Sequence, residues 1–486
     1  MKSDLASLEA RALPAWFDEA KFGIFIHWGI WTIPAFAPRV GSVSDVFRSH
    51  YDRAAAMLPY TEWYWNAIRV PGTPSAEFHA SHYGNAPYEA FKAPFLAGLS
   101  GWDPAAWAEA FRDAGARYVV LVAKHHDGFC LWPSGVENPH RTGWTSQRDL
   151  VGEIAAAVRA AGLRFGLYYS GGLDWTFDER PLRTLGDLAA GSPRSSYPAY
   201  AERQARELIE RYKPSALWND ISWPRGQGRL NRLFADYYDA VPEGVVNDRW
   251  RTPSLASLVL RSGLARRRLD NRIRRAMKRR PDRSEGVIPP PVPHSDFRTP
   301  EYARFPDIQT KKWEATRGMS HSFGFNRNDG EADYASAETL IGDFVDGVSK
   351  HGNLLLNVGP ESGGVIPTPQ LDRLKAFGAW LRANGEAIYG TRPWTRAETE
   401  TVEGVPIRFT AKGDDLYLVP LAALPGEHIT IRGLSAAGAA TRLEDEAPAV
   451  LQPVGPDLAI TLPSPSRGFA PAIRIAGAAP SAHFAR

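Results

Sequence analysis

YVVLVAKHH, residues 118–126, is a run of β-branched and apolar residues that ends in two histidines. Nearly continuous apolar runs of this kind are typical of parallel strands that helices cover on both faces. Stretches with helical periodicity lie between such runs, so the chain predicts repeated βαβ units. Five other segments have the same form: FGIFIHWG from Phe22, FGLYYS from Phe165, ALWND from Ala216, VVND from Val245 and NLLLNVG from Asn353.

Helices are predicted between these strands, and two more strands are expected near EWYWN (62–66) and KKWEATRG (311–318), which would make eight. Eight strands that alternate with helices predict a (β/α)8-like barrel of the TIM type over residues 1–390. The predicted helices are Pro104–Ala114, Leu150–Ala160, Tyr197–Tyr212, Arg229–Ala240, Ala335–Ser349 and one from Thr368 to Ala387.

The pattern changes after Gly390. Short alternating strands follow one another there, separated by Gly, Pro and Asp, and no helical pattern lies between them. HITIRG, LAITLP and AIRIAG are examples. This arrangement predicts a second domain over residues 391–486, an antiparallel β-sandwich.

The composition excludes several classes of protein. Hydrophobic residues make up 44% of the 486 residues and charged residues 23%, which is typical of a globular chain with a large core. The single cysteine, Cys130, excludes an internal disulfide framework. The first residues contain no apolar leader segment, and no apolar run is long enough to cross a bilayer. We therefore expect no transmembrane segment and a cytoplasmic location.

One segment carries most of the positive charge. Eleven Arg and Lys against two Asp make residues 261–283 +9, and since the whole chain is only +3, the remainder is −6. The segment belongs to an insertion at about 251–293. It predicts a solvated helix packed through Leu269, Ile273, Ala276 and Met277, or a contact with an anionic partner such as a polyanion, a membrane surface or the acidic face of a second copy of the chain. Because the insertion joins two predicted active-site segments, a third possibility is that it forms one wall of that site. No nucleic-acid partner is expected.

Several predicted strands end in polar residues whose side chains can take part in catalysis. The carboxyl ends of barrel strands form the active site of this fold. The chain has no GxSxG, GxGxxG, P-loop or CxxC motif, which leaves acyl-transfer, nucleotide and thiol chemistry unsupported. Glycoside hydrolysis fits better, because it needs carboxyl groups, hydroxyl-binding donors and aromatic surface. The strand-end residues are His27, His125, His126, Tyr168, Tyr169, Asp220 and Asn247-Asp248-Arg249.

Ten segments between about residue 14 and residue 393 resemble, in order, glycoside hydrolase family 29, the retaining α-L-fucosidases. Each motif is moderately specific, and ten in sequence are very specific. They are KFGIFIHWG (21–29), EWYWN (62–66), KHHDGFCLW (124–132), FGLYYSGGLDW (165–175), LWNDISWP (217–224), VVNDRW (245–250), SDFRTPEY (295–302), WEATRG (313–318), SFGFNRN (322–328) and NLLLNVGP (353–360).

The resemblance implies an exo-acting enzyme that removes terminal α-L-fucosyl residues by double displacement, with Asp220 as nucleophile and Glu301 as acid/base. Glu314 and Glu285 are rivals for the second role. Retention would place the two carboxyl groups roughly 5–5.5 Å apart. Implied fucose contacts are His27, Glu62, Trp63, His125, His126, Tyr168, Trp218 and Arg249, with Phe25, Ile221, Tyr302 and Phe323 around the C6 methyl group.

Other functions stay open at this point. A non-catalytic fucose- or carbohydrate-binding relative and a transfucosidase would carry the same motifs. His27, His125, His126 and Asp220 could instead bind a metal ion. Neighbouring side chains on a strand point to opposite faces, which argues against joint binding by His125 and His126. We therefore expect neither a metal nor a cofactor, and a fucosylated glycan as the substrate.

Overall fold

The computed structural model describes residues 1–279, 286–424, 426–436, 438–465 and 468–481. Strands and α-helices are numbered in chain order. The strands are β1 Phe22–Ile26, β2 Tyr118–Lys124, β3 Arg164–Tyr169, β4 Ala216–Asn219, β5 Val245–Val246, β6 Trp313–Arg317, β7 Gly352–Val358, β8 Arg392–Glu400, β9 Pro406–Lys412, β10 Asp415–Pro420, β11 His428–Ile431, β12 Leu434–Ser435, β13 Ala440–Arg442, β14 Ala447–Val454, β15 Asp457–Thr461, β16 Ile473–Ala476 and β17 Ala479–Pro480.

Helices fill the connections of the first part of the chain. The α-helices are α1 Leu5–Glu9, α2 Ala15–Ala20, α3 Val43–Ser49, α4 Tyr64–Ile68, α5 Pro74–Tyr83, α6 Lys92–Gly98, α7 Pro104–Asp113, α8 Leu150–Ala160, α9 Leu185–Ala189, α10 Tyr197–Tyr212, α11 Gln227–Ala240, α12 Leu255–Val259, α13 Gly263–Arg279, α14 Ala337–Ser349 and α15 Thr368–Asn384. Short 3-10 helices cover Ile30–Thr32, Tyr51–Ala56, Thr61–Trp63, Tyr88–Phe91, Leu99–Gly101, Glu331–Asp333 and Gly385–Ala387.

The first seven strands form one parallel sheet in the order β5-β4-β3-β2-β1-β7-β6. An extended segment, 295–302, joins its two edges. The Asp296 N–H donates to the Val246 carbonyl (2.9 Å), and the Tyr302 N–H donates to the Thr316 carbonyl (3.0 Å). This segment stands where an eighth strand is expected, so the sheet curls into the predicted barrel, and the fold class is confirmed.

The two additional strands predicted from sequence have different outcomes. KKWEATRG contains β6, as predicted. EWYWN is helical, because it lies in a 3-10 turn that runs into α4. The aromatic residues of this segment have high β propensity, but Trp63 packs on His126 and Trp175 instead of beside a strand. Tertiary packing here outweighs local preference.

The barrel interior is filled by large side chains from alternate strand positions. Phe25, Val120, Tyr168, Trp218 and Leu355 form one buried cluster inside the ring. The Tyr118 ring packs directly on Gly23. A Cβ atom at position 23 would lie only 2.4 Å from this ring, so the packing requires glycine. The interior is therefore a packed core that closes the floor beneath the strand ends.

The remaining strands form an antiparallel sheet in the order β11-β15-β14-β13-β16-β10-β9-β8. Its ends approach one another, because the Val402 N–H donates to the Thr430 carbonyl (3.0 Å) and links the end of β8 to β11. The folded-back sheet encloses its own apolar core. The last α-helix ends at Asn384 and β8 begins at Arg392, so the predicted boundary near 390 falls between them.

The basic insertion contains α12 and α13. Asp270 fixes α13 to the barrel by accepting hydrogen bonds from the Tyr51 hydroxyl (2.9 Å), the Thr184 hydroxyl (3.0 Å) and the Gly186 N–H (2.8 Å). Ile273 and Met277 pack on the barrel core, as predicted. Ala276 was predicted on the same face but is exposed. Successive residues of a helix are rotated by about 100° about its axis, so Ala276 lies well to one side of its neighbour Met277. No helix in the described part of the chain is long and apolar enough to span a membrane.

Candidate active site

The carboxyl ends of the parallel strands surround a small open cavity. His27 follows β1, His125 follows β2, Asp220 follows β4, and Glu301 lies in the closing segment. Eleven of the residues singled out from the sequence line the cavity, and Tyr60 and Thr316 join them. The eleven are Phe25, His27, Glu62, Trp63, His125, Tyr168, Trp218, Asp220, Arg249, Glu301 and Phe323.

Asp220 is partly buried, with 13% of its side chain exposed, and is held by three donors. Arg249 Nη1 and the Ile221 N–H donate to its Oδ1 at 3.0 Å and 2.8 Å, and the Tyr168 hydroxyl donates to Oδ2 at 3.0 Å. Burial alone would raise the pKa of this carboxyl, but the positive charge of Arg249 and the hydrogen bonds from Arg249 and the Ile221 N–H outweigh burial and lower the pKa below its ordinary value. Asp220 is therefore ionised at neutral pH, as a nucleophilic carboxylate must be.

Glu301 faces the same cavity and shares a cation with Asp220. Arg249 Nη2 lies 2.9 Å from its Oε2, while the Tyr60 hydroxyl donates to its Oε1 at 2.8 Å. The guanidinium thus bridges the two carboxyl groups. Arg249 can only donate, whereas a tyrosine hydroxyl can donate or accept. A proton on Glu301 therefore fits at Oε1, beside Tyr60.

Backbone hydrogen bonds fix the position of Glu301. Its N–H donates to the Val287 carbonyl and its carbonyl accepts from the Val287 N–H, both at 2.8 Å. The residue that follows each carboxylate has a left-handed backbone, with φ +63° at Ile221 and φ +47° at Tyr302. Such a conformation costs a side chain-bearing residue about 1–3 kcal/mol and tends to occur at functional sites. The fold therefore sustains strain beside both carboxyl groups.

The first rival acid/base, Glu314, lies beneath the cavity instead of in it. It is buried in the barrel interior, where it accepts hydrogen bonds from Trp218 Nε1 (3.1 Å) and from the Tyr118 hydroxyl. Burial raises the pKa of Glu314 to about 7. Trp218 separates it from the open space, so it is poorly placed to reach a glycosidic oxygen. The other rival, Glu285, lies outside the described residues.

The site histidines are buried and neutral. Burial lowers the pKa values of His27 and His126 to about 4, and it lowers that of His125 well below the ordinary value. His27 Nδ1 donates to Asn357 Oδ1, and His126 Nδ1 donates to Ser170 Oγ, both at 2.6 Å. The Nε2 atom of His27, which lines the cavity, is then an unprotonated acceptor, which suits it to a hydroxyl group of a neutral sugar.

Glu62 is the third carboxyl group at the cavity. It accepts the Gly324 N–H at 3.0 Å. Burial raises its pKa to about 7, and the negative charges of Glu301 and Asp220 contribute. Glu62 can therefore accept a hydrogen bond from a hydroxyl group when it is ionised, or donate one to a hydroxyl group when it is protonated.

Aromatic rings form the walls of the cavity. The Tyr168 ring lies between those of His125 and Trp218, with centroid distances of 5.6 Å and 5.7 Å. Phe25 and Phe323 contact the His27 ring at 4.5 Å and 4.9 Å and leave an apolar corner. His126, Ile221 and Tyr302 were also predicted to contact the sugar but do not line the cavity. They lie just behind it: His126 3.8 Å from Asp220, Ile221 next to Asp220, and Tyr302 on the Phe323 ring at 5.4 Å.

One group of side chains could hold a metal ion. Ligand atoms of His27, Glu62 and His125 all lie within 4.8 Å of one another. This group differs from the set considered from sequence, because Glu62 takes the place of His126 and Asp220. The same atoms could equally bind two neighbouring hydroxyl groups of a sugar.

Several positioning residues escaped the sequence analysis. Thr299 Oγ1 accepts from Arg249 Nε (3.1 Å) and orients the guanidinium. Asn357 lies in the predicted strand NLLLNVG, whose apolar run indicates only core packing, yet its side chain fixes the ring of His27. Thr316, near the end of β6, could have been found by the same strand-end rule as His27. Tyr60 follows no motif, since its contact with Glu301 joins residues 241 positions apart.

Comparison with known proteins decides the family. The α-L-fucosidase family model matches residues 1–386. The chain belongs to this family, glycoside hydrolase family 29. Tissue α-L-fucosidase of Bos taurus is 32% identical to it over 431 residues, 86% of this chain and 77% of the bovine protein. The human tissue enzyme is 31% identical over 430 residues, with the same coverage.

Solved structures of α-L-fucosidases share the whole architecture. The α-fucosidase of Thermotoga maritima, in complex with a mechanism-based inhibitor, is 40% identical to this chain with a TM-score of 0.82. The match covers 98% of this chain and 99% of the other. The likeness therefore extends over both the barrel and the antiparallel sheet.

Proposed function

We propose that this family member is an exo-acting α-L-fucosidase, which hydrolyses terminal α-L-fucosyl residues of oligosaccharides or glycoconjugates with retention of configuration. The observation that carries the proposal is the Arg249 bridge between Asp220 and Glu301. It holds one carboxylate ionised and places a second carboxyl group at the same small cavity. A retaining glycosidase needs that pair.

The first step forms a covalent intermediate. Asp220 Oδ attacks the anomeric carbon, and the bond from that carbon to the aglycone oxygen breaks. Glu301 transfers its proton to the departing oxygen, so the aglycone leaves as a neutral alcohol. The charge of Asp220 is consumed as the ester forms, and Glu301 becomes a carboxylate that Arg249 and Tyr60 stabilise.

The second step releases the sugar. Glu301 takes a proton from a water molecule while the oxygen of that water attacks the anomeric carbon. The ester bond to Asp220 breaks, and the carboxylate returns to its contacts with Arg249 and Tyr168. Two inversions at one carbon give net retention.

The apolar corner supports the choice of a 6-deoxy sugar. Phe25 and Phe323 offer no hydrogen-bond partner, and burying one methyl group between them contributes about 0.8 kcal/mol. A hexose hydroxyl at the same place would lose its water without a new partner, at a cost of about 1–3 kcal/mol. The pocket would therefore reject α-L-galactosides more strongly than it attracts fucose.

Two related functions differ only in the acceptor or in turnover. A transfucosidase would replace water by a sugar hydroxyl in the second step. A non-catalytic carbohydrate-binding relative would lack turnover, and the presence of both Asp220 and Glu301 at one cavity favours the enzyme.

An assay with aryl glycosides tests the proposal. Aryl α-L-fucoside is expected to be hydrolysed, while matched α-L-galactoside and β-D-xyloside react far more slowly. Hydrolysis of only the latter two would refute the sugar assignment, and no hydrolysis of any would favour the binding protein. Product analysis with added sugar acceptors separates hydrolysis from transfer.

The charge of the basic insertion supports a further partner. We propose that residues 251–293 contact an anionic partner or a second copy of the chain in addition to the glycan substrate. The +9 segment within them is far more basic than the rest of the chain, which totals −6.

A further inference from the structure

The insertion presents a row of exposed arginines. Arg267, Arg268, Arg272, Arg275 and Arg279 are all exposed, and none of them pairs with an acidic residue in the described part of the chain. At about 100° per residue, they fall on the side of α13 opposite to Ile273 and Met277. We call Leu264, Asn271 and these five arginines the outer face of α13.

The opposite side of α13 is already occupied. Asp270 accepts its three hydrogen bonds there, and Arg266 and Arg274 pair with Asp187 and Asp52. The helix therefore cannot turn its arginines inward to neutralise them. Five like charges held on one rigid face repel one another, and an anionic surface would relieve that repulsion.

Exposed apolar side chains lie in α12 and in the first turn of α13, just before the arginines in the chain. Leu255 is 83% exposed, Val259 63% and Leu264 69%; with Leu258 they form what we call the apolar tip. The insertion holds six of the twelve exposed large apolar side chains in the described part of the chain. Exposed apolar groups of this density mark a contact surface.

We infer that α12 and the outer face of α13 form a peripheral binding site for an anionic lipid bilayer. Basic side chains bind lipid phosphates there, and apolar side chains enter the boundary between headgroups and acyl chains. A solvated polyanion would use the arginines but gain nothing from the apolar tip. A two-fold dimer through this face would bring the two arginine rows together, which like charge opposes. Of these three partners, only the bilayer uses both features.

Vesicle sedimentation tests the inference with the full-length protein. We expect sedimentation with vesicles of phosphatidylcholine and phosphatidylglycerol but not with phosphatidylcholine alone, and release at high salt. Each arginine near such a surface raises the partition coefficient between water and membrane about fivefold. R268Q/R272Q/R275Q/R279Q should therefore lower binding by at least about a hundredfold.

Two matched variants make the test specific. R268Q/R275Q should weaken vesicle binding by about twentyfold or more. R203Q/R232Q, which removes two exposed arginines of α10 and α11, should leave it within about twofold. L255S/V259S/L264S should also weaken binding, because the apolar tip is part of the site. Aryl-glycosidase activity and thermal unfolding of each variant check that it folds.

Several results would overturn the inference. Absence of wild-type sedimentation with the anionic vesicles would do so at once, as would equal losses in R268Q/R275Q and R203Q/R232Q. Full binding by L255S/V259S/L264S together with tight binding to heparin would assign the arginines to a soluble polyanion instead. Light scattering that shows a dimer lost in the quadruple variant, without vesicle binding, would assign the face to a second copy.

Discussion

Replacing Arg249 by methionine removes the cation that Asp220 and Glu301 share. The side chain is 10% exposed and makes an ion pair with each carboxylate, at 3.0 Å and 2.9 Å. Breaking a buried ion pair costs about 3–5 kcal/mol, because the partner is left as an unpaired charge. Since each 1.36 kcal/mol is tenfold in rate, we expect kcat/KM of R249M to fall by about two to four orders of magnitude.

The pH profile of R249M should change in a definite direction. Arg249 is the strongest of the influences that hold the pKa of Asp220 below its ordinary value. In R249M this influence is lost, so burial raises the pKa of Asp220. Asp220 must be ionised to attack. The acid limb of kcat/KM should therefore move to higher pH in the variant.

R249K is the matched control. A lysine keeps the positive charge but lacks the planar fork that reaches both carboxylates. We expect R249K to lose less activity than R249M and to shift the acid limb less. The assay is aryl α-L-fucoside hydrolysis over a range of pH, with thermal unfolding to verify the fold. An R249M variant within tenfold of wild type, or one whose acid limb stays in place, would refute the reasoning.

Three further outcomes follow from the same contacts. Tyr60→Phe removes the hydrogen bond that stabilises the Glu301 carboxylate once its proton has left, and should lower kcat about 10- to 100-fold, with a smaller effect on KM, whereas Tyr302→Phe should retain most of kcat. Burial raises the pKa of Glu314 from 4.5 to about 7, so the stability from this group is present below pH 4.5 and declines as pH rises toward 7. Glu314→Gln should therefore flatten the fall of Tm over that window. Exhaustive chelation should leave fucosidase activity intact.

Each of these outcomes has a measurement that can contradict it. Steady-state kinetics in which Tyr60→Phe equals wild type would remove Tyr60 from the proton transfer. A calorimetric Tm profile that is unchanged by Glu314→Gln would show that this carboxyl does not titrate in the window. Activity lost on chelation and regained with zinc would assign a metal to His27, Glu62 and His125.

The barrel strands were predictable because burial on both faces leaves continuous apolar runs such as β2 and β7. The strand-end rule then brought His27, His125 and Asp220 to one cavity, since parallel strands end at the same side of the sheet. The closing segment, 295–302, escaped this reasoning. It has no apolar alternation, and it pairs through its backbone with β6 and with Val246.

The contacts between catalytic groups could not be read from the sequence. Arg249 and Glu301 lie 52 positions apart with the basic insertion between them, and no local pattern specifies that one guanidinium reaches both carboxylates. Asn357 illustrates the same limit. Its buried strand predicts a packing role, but its side-chain amide fixes His27 because the fold places β7 beside β1.

Covalent trapping tests the central claim most directly. A 2-deoxy-2-fluoro-α-L-fucosyl donor with a good leaving group slows the second step, so the glycosyl-enzyme accumulates and can be mapped by mass spectrometry of its peptides. The account predicts one added fluorofucosyl group, on the peptide that contains Asp220 and on that carboxylate. An adduct on Glu62 or Glu301, or a product of inverted configuration with no adduct, would contradict it.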